Sequence, residues 1–313
     1  MINKIKTCTE LLIEFDGKKQ IMLAEKLNFL GIQGRDVYNI TKPFQDEEDT
    51  IIAGRVEERT SEVSEINFFK EIDGNWVRME RVTKLPLQDP FVTKIGGELI
   101  LGGVEIYPHP LLNGYLGYRT IFYRGENVNS LEKFAVGPEL MKDIRLLELS
   151  PGRILVFARH QGAIGGRGKI AYTVINSLEE LNSQVITDTE LLPNQFVEEE
   201  WGGPNELHLL KNGLIGVLGH VSFYDEIMER HYFAMAFSFN LETKEVSSIK
   251  IIATRKNFMP GHFKRKDIRD VIFSGGINRL TDGMAEFYAG VSDAEAHKIL
   301  IEDPFLEYEI INK

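Results

Sequence analysis

The sequence predicts an all-β fold, a five-bladed β-propeller formed as one domain over residues 1–313, and three observations carry that prediction. Short runs of alternating apolar and polar residues, bounded by Gly, Asp and Asn, recur along the chain and read as strands joined by hairpin turns. The runs group into units that return at intervals of about 50 to 70 residues, compatible with propeller blades of about 40 to 50 residues plus insertions. Helical periodicity is scarce. Only Ser177–Gln184 and Lys264–Asp270 look briefly helical, too little for the crossover helices of a doubly wound α/β sheet. A β-sandwich meets the strand count but not the repeat.

In chain order, residues 1–34 carry the amphipathic stretch Glu10–Phe15, a turn at Asp16-Gly17 and the apolar run Ile21–Ala24. These read as strands, although Lys18–Phe29 also suits a helical turn. The first unit is Tyr38–Phe44, an acidic turn at Asp46–Asp49 and Thr50–Glu57, followed by Ser64–Lys70 and Asn75–Glu80 about Asp73-Gly74. The second opens at Asp89-Pro90, turns at Gly96-Gly97 into Leu99–Glu105 and continues through Tyr118–Arg124 and Ser130–Phe134. The third is Asp143–Leu149, Arg153–Arg159 and Lys169–Val174, turning first at Ser150-Pro151-Gly152. The fourth is Pro204–Leu210, Leu214–His220 and His231–Asn240; the fifth is Phe273–Leu280, Ala285–Gly290 and His297–Glu302. A blade buries its faces only against its neighbours, so the chain is expected to fold as one closed ring.

Composition narrows the function classes. A net charge of -11 and a pI near 5.3 argue against a nucleic-acid partner, whose binding surfaces concentrate Lys and Arg. The single cysteine, Cys8, rules out a disulfide framework and a Cys-based zinc site. No long apolar run or leader is read, so no membrane association is expected and the cytoplasm is the expected compartment. No two histidines sit at helical ligand spacing, His208, His220, His231 and His262 being on separate strands or loops, and the acidic runs lack calcium-loop spacing, so no metal is expected.

In a propeller the innermost strands converge on a central channel. The polar residues at those strand ends are Asn39, Arg55, Glu57, Arg59, Asp89, Asp143, Arg159, His160, Asn205, Glu206, His220 and Asp293, an inventory suited to a polyhydroxylated substrate and an anion. Asp89 stands out: Pro90 disfavours the helical region for the residue before it, so Asp89 is expected extended, its carboxylate projecting from a rigid strand end. The run His160–Lys169 is glycine-rich but lacks the Lys-Ser/Thr ending of a nucleotide P-loop. It reads equally as a turn between strands or as a loop closing over phosphate with His160, Arg167 and Lys169.

Several of these motifs, in order, resemble the mannoside phosphorylases and hydrolases of glycoside hydrolase family 130 and, more closely, the related mannosyltransferase-phosphorylases of β-1,2-mannan metabolism. The matching stretches are Tyr38-Asn39-Ile40, Arg55-Val56-Glu57, Ser64-Glu65-Ile66, Gln88-Asp89-Pro90-Phe91, Lys142-Asp143 and Arg159-His160, then Gly202–Leu207, Gly219-His220-Val221 and Phe287–Asp293. Gln88 and Phe91 replace a Glu and an Arg of the family pattern, and Asn205-Glu206 replaces Pro-Pro. The resemblance implies a five-bladed propeller that transfers mannosyl groups between a β-mannoside, such as a β-1,2-mannooligosaccharide, and inorganic phosphate as co-substrate, without another cofactor. It implies Asp89 as general acid, and Asn39, Arg55, Glu57, Asp143, Asn205, Glu206, Tyr288 and Asp293 as sugar-binding residues. Arg159, His160, Arg167, Lys169 and His220 are the phosphate candidates. A general acid must carry a proton, so surrounding carboxylates or apolar walls are expected to raise the pKa of Asp89. The alternatives are a β-mannoside hydrolase, a nucleotide-sugar-dependent mannosyltransferase and a carbohydrate-binding propeller without catalysis.

Overall fold

The computed structural model describes residues 5–17, 23–109 and 113–310, so part of the Ile21–Ala24 run lies outside the described residues. The chain is mostly strand, arranged as five antiparallel meanders. The first comprises Asp36–Tyr38 and Phe44–Asp46, both pairing with Asp49–Glu57, then Ser64–Ile72 and Asn75–Arg78. The second is Gln88–Ile95, Glu98–Pro108, Leu116–Gly125 and Glu132–Val136; the third is Arg145–Ser150, Arg153–Gln161, Gly166–Ile175 and Glu190–Leu191. The fourth is Trp201–Leu209, Ile215–Tyr224, Arg230–Phe239 and Lys250–Ala253. The fifth is Asp270–Arg279, Met284–Val291 and Glu295–Glu302, completed by Leu23–Lys26 from the other end of the chain. The fourth and fifth share one sheet through a short parallel pairing, His231 with Asp270 and Tyr232 with Val271.

Alternation along each strand turns these meanders into blades, because successive side chains leave opposite faces of a sheet. Ile51 and Ala53 pack towards the second blade, whereas Ile52 and Val56, from the same strand, pack towards the fifth. Leu155 and Phe157 face the fourth blade while Ile154, Val156 and Ala158 face the second. In the fourth blade Phe233, Met235 and Phe237 look back to the third, and Ala234 and Ala236 look on to the fifth. Five apolar clusters result, one between each consecutive pair and one between the fifth and the first, so the ring closes. Each fully buried Phe or Ile contributes about 1.5 to 3 kcal/mol. Around the axis Gln88–Ile95 packs beside Asp49–Glu57 of the first blade and beside Arg145–Ser150, and Trp201–Leu209 lies between Arg145–Ser150 and Asp270–Arg279.

The stretch Glu10–Phe15, expected as a strand, lies in a helix, Cys8–Asp16. Thr7 caps it: its hydroxyl accepts from the Glu10 amide at 3.2 Å and Glu10 Oε2 accepts from the Thr7 amide at 2.9 Å. Cys8, Leu11 and Phe15 then share one helical face and dock on the apolar cluster between the third and fourth blades. A further short helix, Leu306–Ile310, follows the fifth blade.

Candidate active site

The innermost strands are interrupted where they reach one end of the channel. Their ladders shift register between Gln88 and Phe91, Pro204 and Glu206, and Ser274 and Gly276. The first-blade ladder stops after Tyr38, and that of the third starts only at Arg145. Such bulges free a residue from pairing and re-aim its side chain. Asn39, Asp89 and Asp143 occupy these breaks with φ of 45°, 50° and 60°, the left-handed region that Asn and Asp tolerate best among non-glycine residues. Asp89 is therefore not in the extended region expected of a residue before proline. The left-handed well also avoids the right-handed helical region that Pro90 disfavours, and the bulge selects it. Asp293, in the turn before Glu295–Glu302, has φ of 50°.

These residues surround a cavity of about 230 Å³. Asn39 Nδ2 donates to Asp89 Oδ1 at 2.8 Å and lies 3.5 Å from Asp293 Oδ1. Arg55 Nη1 donates to the same Asp89 oxygen at 3.2 Å, and its Nε and Nη2 bind Glu57 Oε2 at 2.9 and 2.6 Å. Glu57 is also held by Lys264. Lys142, Arg159, His220 and Arg230, with Tyr232, also line the cavity. Arg159 Nη1 lies 2.9 Å from Asp143 Oδ2, an ion pair without hydrogen-bond alignment, and Arg159 Nε is buried without a partner. Lys142 is half-buried and enters no hydrogen bond or ion pair among the described residues.

The charges act on each other. Burial alone would raise the pKa of Asp89, but Arg55, Lys142 and the Asn39 amide outweigh it and hold the carboxyl below its ordinary value, against the upward shift expected from the sequence. Asp293 moves the other way: burial and the Asp89 charge push it up despite Arg55 and Lys264. The two neighbouring carboxyls are thus driven apart. Burial would likewise raise Asp143, yet Arg159, His220 and Lys142 bring it down. His220 is pushed down to about 3, chiefly by burial, with Arg159 and Lys142 outweighing Asp143, so it is neutral near pH 7. Its Nδ1–H donates to Asn205 Oδ1 at 2.9 Å, which leaves Nε2 an acceptor without a partner, while its ring stacks on Tyr232 at 5.3 Å.

Of the residues singled out in the sequence, Asn39, Arg55, Asp89, Asp143, Arg159, His220 and Asp293 line this cavity together. Glu57 stands behind Arg55 and Asn205 behind His220. Arg59 pairs with Asp36. His160 points to the opposite face of its strand from Arg159, as the two-residue period requires, and binds Thr189 at 2.7 Å. Tyr288 lies in the core between the first and fifth blades, donating to Glu286 at 2.9 Å. Glu206 binds Lys42 and His208 away from the cavity. Arg167 lies over Trp201 and Tyr224, and neither it nor Lys169 lines the cavity; Gly162–Gly165 forms a single helical turn within a hairpin. Sequence reasoning did not single out Arg230, Tyr232 or Arg265, or assign Lys142 to the anion side, although the motif Lys142-Asp143 was visible. The two departures from the family pattern have structural roles. Gln88 Nε2 donates to the Glu62 carbonyl at 3.2 Å. The Phe91 ring covers Gly102, where a Cβ would meet it at 2.1 Å, and stacks beneath Arg145 at 4.4 Å. Among the described residues no His/Cys/Asp/Glu group forms a metal site, and no helix is long and apolar enough to cross a membrane.

No curated protein matches the chain. A family model described as "Protein of unknown function (DUF1861)" matches residues 13–307. Two structures from Leishmania mexicana are similar throughout. MPT-4, a mannose phosphorylase in complex with phosphate ion, is 33% identical with a TM-score of 0.86, covering 95% of this chain and 93% of its own. MPT-1, a GDP-Man-dependent mannosyltransferase, is 32% identical with a TM-score of 0.87, covering 96% and 95%. The β-1,2-mannobiose phosphorylase of Listeria innocua shares the fold, with a TM-score of 0.63 at 13% identity over 96% of both chains. A propeller-like scaffold, a polar cavity at its centre and end-to-end similarity to the two Leishmania enzymes lead to one conclusion: the chain belongs to the DUF1861 family and is an enzyme related to the Leishmania mannose phosphorylase and mannosyltransferase.

Proposed function

We propose that this enzyme catalyses reversible phosphorolysis of β-mannosides, with β-1,2-mannooligosaccharides as substrates and mannose 1-phosphate as product. One observation carries the reading: a single cavity gathers Asp89 and Asp293, which meet at Asn39, and the cations Lys142, Arg159 and Arg230. The carboxylates suit sugar hydroxyls and the glycosidic oxygen; the cations suit phosphate. An inverting phosphorylase needs no second carboxylate to activate water, because its nucleophile is already an anion. The similarity to the Leishmania mannose phosphorylase supports the choice of nucleophile, and the Listeria neighbour's substrate motivates the linkage.

In this mechanism an oxygen of phosphate held by the cations attacks the anomeric carbon as the bond from that carbon to the leaving oxygen breaks, and Asp89 protonates that oxygen. Hydrogen phosphate carries one proton, which His220 Nε2 is placed to accept as a hydrogen bond. The reaction is neutral in protons: the leaving alcohol gains one and the phosphate loses one, which recharges Asp89. Asp89 is held low by Arg55 and Lys142, and a phosphate dianion beside Lys142 counters that field. Phosphate binding therefore raises the pKa of the acid when a proton is needed.

A second reading, transfer from GDP-mannose, is favoured by the similarity to MPT-1 and by the additional guanidinium of Arg265 at the cavity. Purified protein incubated with β-1,2-mannobiose, with and without phosphate, and separately with GDP-mannose and a mannoside acceptor, separates the readings. Mannose 1-phosphate formed only with phosphate upholds phosphorolysis. Equal mannose release without phosphate makes the enzyme a hydrolase, and product only from GDP-mannose makes it a transferase. No turnover in any arm leaves a binding propeller.

A further inference from the structure

A second cavity, of about 260 Å³, lies beyond the bulges on the same inner strands. It is lined by Lys42, Phe44, Phe91 to Lys94, Arg145, Asn205 and Glu206 among others, none of them shared with the first cavity. One residue, Ile144, separates Asp143, in the first cavity, from Arg145, which opens its strand in the second, a span of at most about 7 Å. The two cavities are therefore successive compartments of the channel.

The second compartment is rich in unused donors. Arg145 is 5% exposed; its Nε donates to the Asn205 carbonyl at 2.5 Å and its Nη1 to the Ile144 carbonyl at 2.9 Å. Its Nη2 makes no hydrogen bond, and no carboxylate among the described residues pairs with it. Phe91 covers one face of the guanidinium at 4.4 Å, which leaves the in-plane N–H edge for a ligand. Asn205, 3% exposed, has its Nδ2 buried without a partner. Lys94 is exposed and enters no hydrogen bond or ion pair among the described residues. The one carboxylate, Glu206, is already engaged: Oε1 pairs with Lys42 Nζ at 2.6 Å, and Oε2 accepts from the Ile277 amide and contacts His208 Nε2, both at 2.8 Å. Asp143, Asp89 and Glu206 act on this guanidinium only from beyond ion-pair contact, so its burial remains costly, and an unpaired buried amide adds to that cost. Both are relieved by a ligand that only accepts hydrogen bonds and carries negative charge.

We propose that this second compartment is a binding site for a compact oxyanion, the phosphate or carboxylate group of a small metabolite, seated on Arg145 and Asn205 with Lys94 at its mouth. The proposal is independent of the reaction in the first cavity. Because Asn205 also holds His220 through its Oδ1, the occupant bears on the phosphate side of the first cavity through one side chain.

Calorimetric titration of the full chain with inorganic phosphate, and separately with succinate, tests it. The two variants are Thr93→Phe, which fills the compartment, and Lys94→Glu, an exposed change that leaves folding intact. Wild-type protein is expected to bind two phosphates, one of them lost in Thr93→Phe and weakened about five- to tenfold in Lys94→Glu. Succinate binding with the same sensitivity assigns the site to carboxylates as well; phosphate binding without succinate binding assigns it to phosphate groups. Succinate binding alone with that sensitivity upholds a carboxylate site. Binding of either ion that neither substitution alters, or only one phosphate whose affinity both leave unchanged and no succinate, overturns the proposal.

Discussion

Replacing Asp89 by Asn isolates the proton from the shape of the site. The amide keeps an oxygen where Asp89 Oδ1 now accepts from Asn39 Nδ2 at 2.8 Å and Arg55 Nη1 at 3.2 Å, so Asn39 and Arg55 are expected to hold position. The charge assistance of those two bonds, about 1 kcal/mol each, is lost. Relief of the repulsion that raises Asp293 offsets part of that loss. Thermal unfolding should therefore shift by no more than a few degrees, at about 2 to 4 °C per kcal/mol. Catalysis should suffer far more. A positioned general acid contributes about 10²- to 10⁴-fold, equivalent to about 3 to 5 kcal/mol of barrier. Initial rates of mannose 1-phosphate formation from β-1,2-mannobiose should show kcat down by that factor, with KM for phosphate nearly unchanged. If Asp89→Asn keeps more than about a tenth of wild-type kcat, the assignment of the acid is refuted and Asp293 becomes its replacement.

The remaining predictions concern charge and close packing. Lys142→Met removes an unpaired cation and should raise KM for phosphate about tenfold at little cost in stability, whereas Arg159→Met also strands the buried Asp143 carboxylate and should cost about 3 kcal/mol in urea unfolding. Glu206 illustrates pH linkage: burial alone would raise it, but His208 and Lys42 take it from 4.5 down to about 2. Its contribution, about 3 kcal/mol, is fully present above pH 4.5 and lost as the pH falls through about 2. Glu206→Gln should therefore be destabilised near pH 7 and converge with wild type near pH 2, as followed by denaturant unfolding across that range. Gly290→Ala would put a Cβ 2.2 Å from Asn39 Oδ1 and 2.4 Å from its backbone nitrogen. It should cost about 1 to 3 kcal/mol in stability and lower kcat by displacing the partner of Asp89, read from unfolding and initial rates on the same preparation.

Alternating runs such as Arg153–Arg159 and turn signals such as Asp73-Gly74 made the strands legible, because both are set by the residue's own backbone and its immediate neighbours. Thr7 and Glu10 also wrote a helix start, yet the apolar run Leu11-Leu12-Ile13 resembles a strand until its docking on the third and fourth blades is known. The motif order likewise picked out Asn39, Asp89, Asp143, Arg159, His220 and Asp293, which the ring does bring to one cavity. It also picked His160 and Tyr288, which lie away from the cavity, His160 against Thr189 and Tyr288 in the core between the first and fifth blades; which way each strand position points is fixed by register, not by residue type.

The sequence by itself thus determined the strands, their repeat and the chemical types gathered at their inner ends, since these follow from local propensity and spacing. Only the tertiary structure decided which carboxyl is held down and which is pushed up. That depends on how far Arg55 and Lys142 lie from Asp89 and Asp293, residues that come from four different blades, and electrostatic interaction falls with distance in space rather than along the chain.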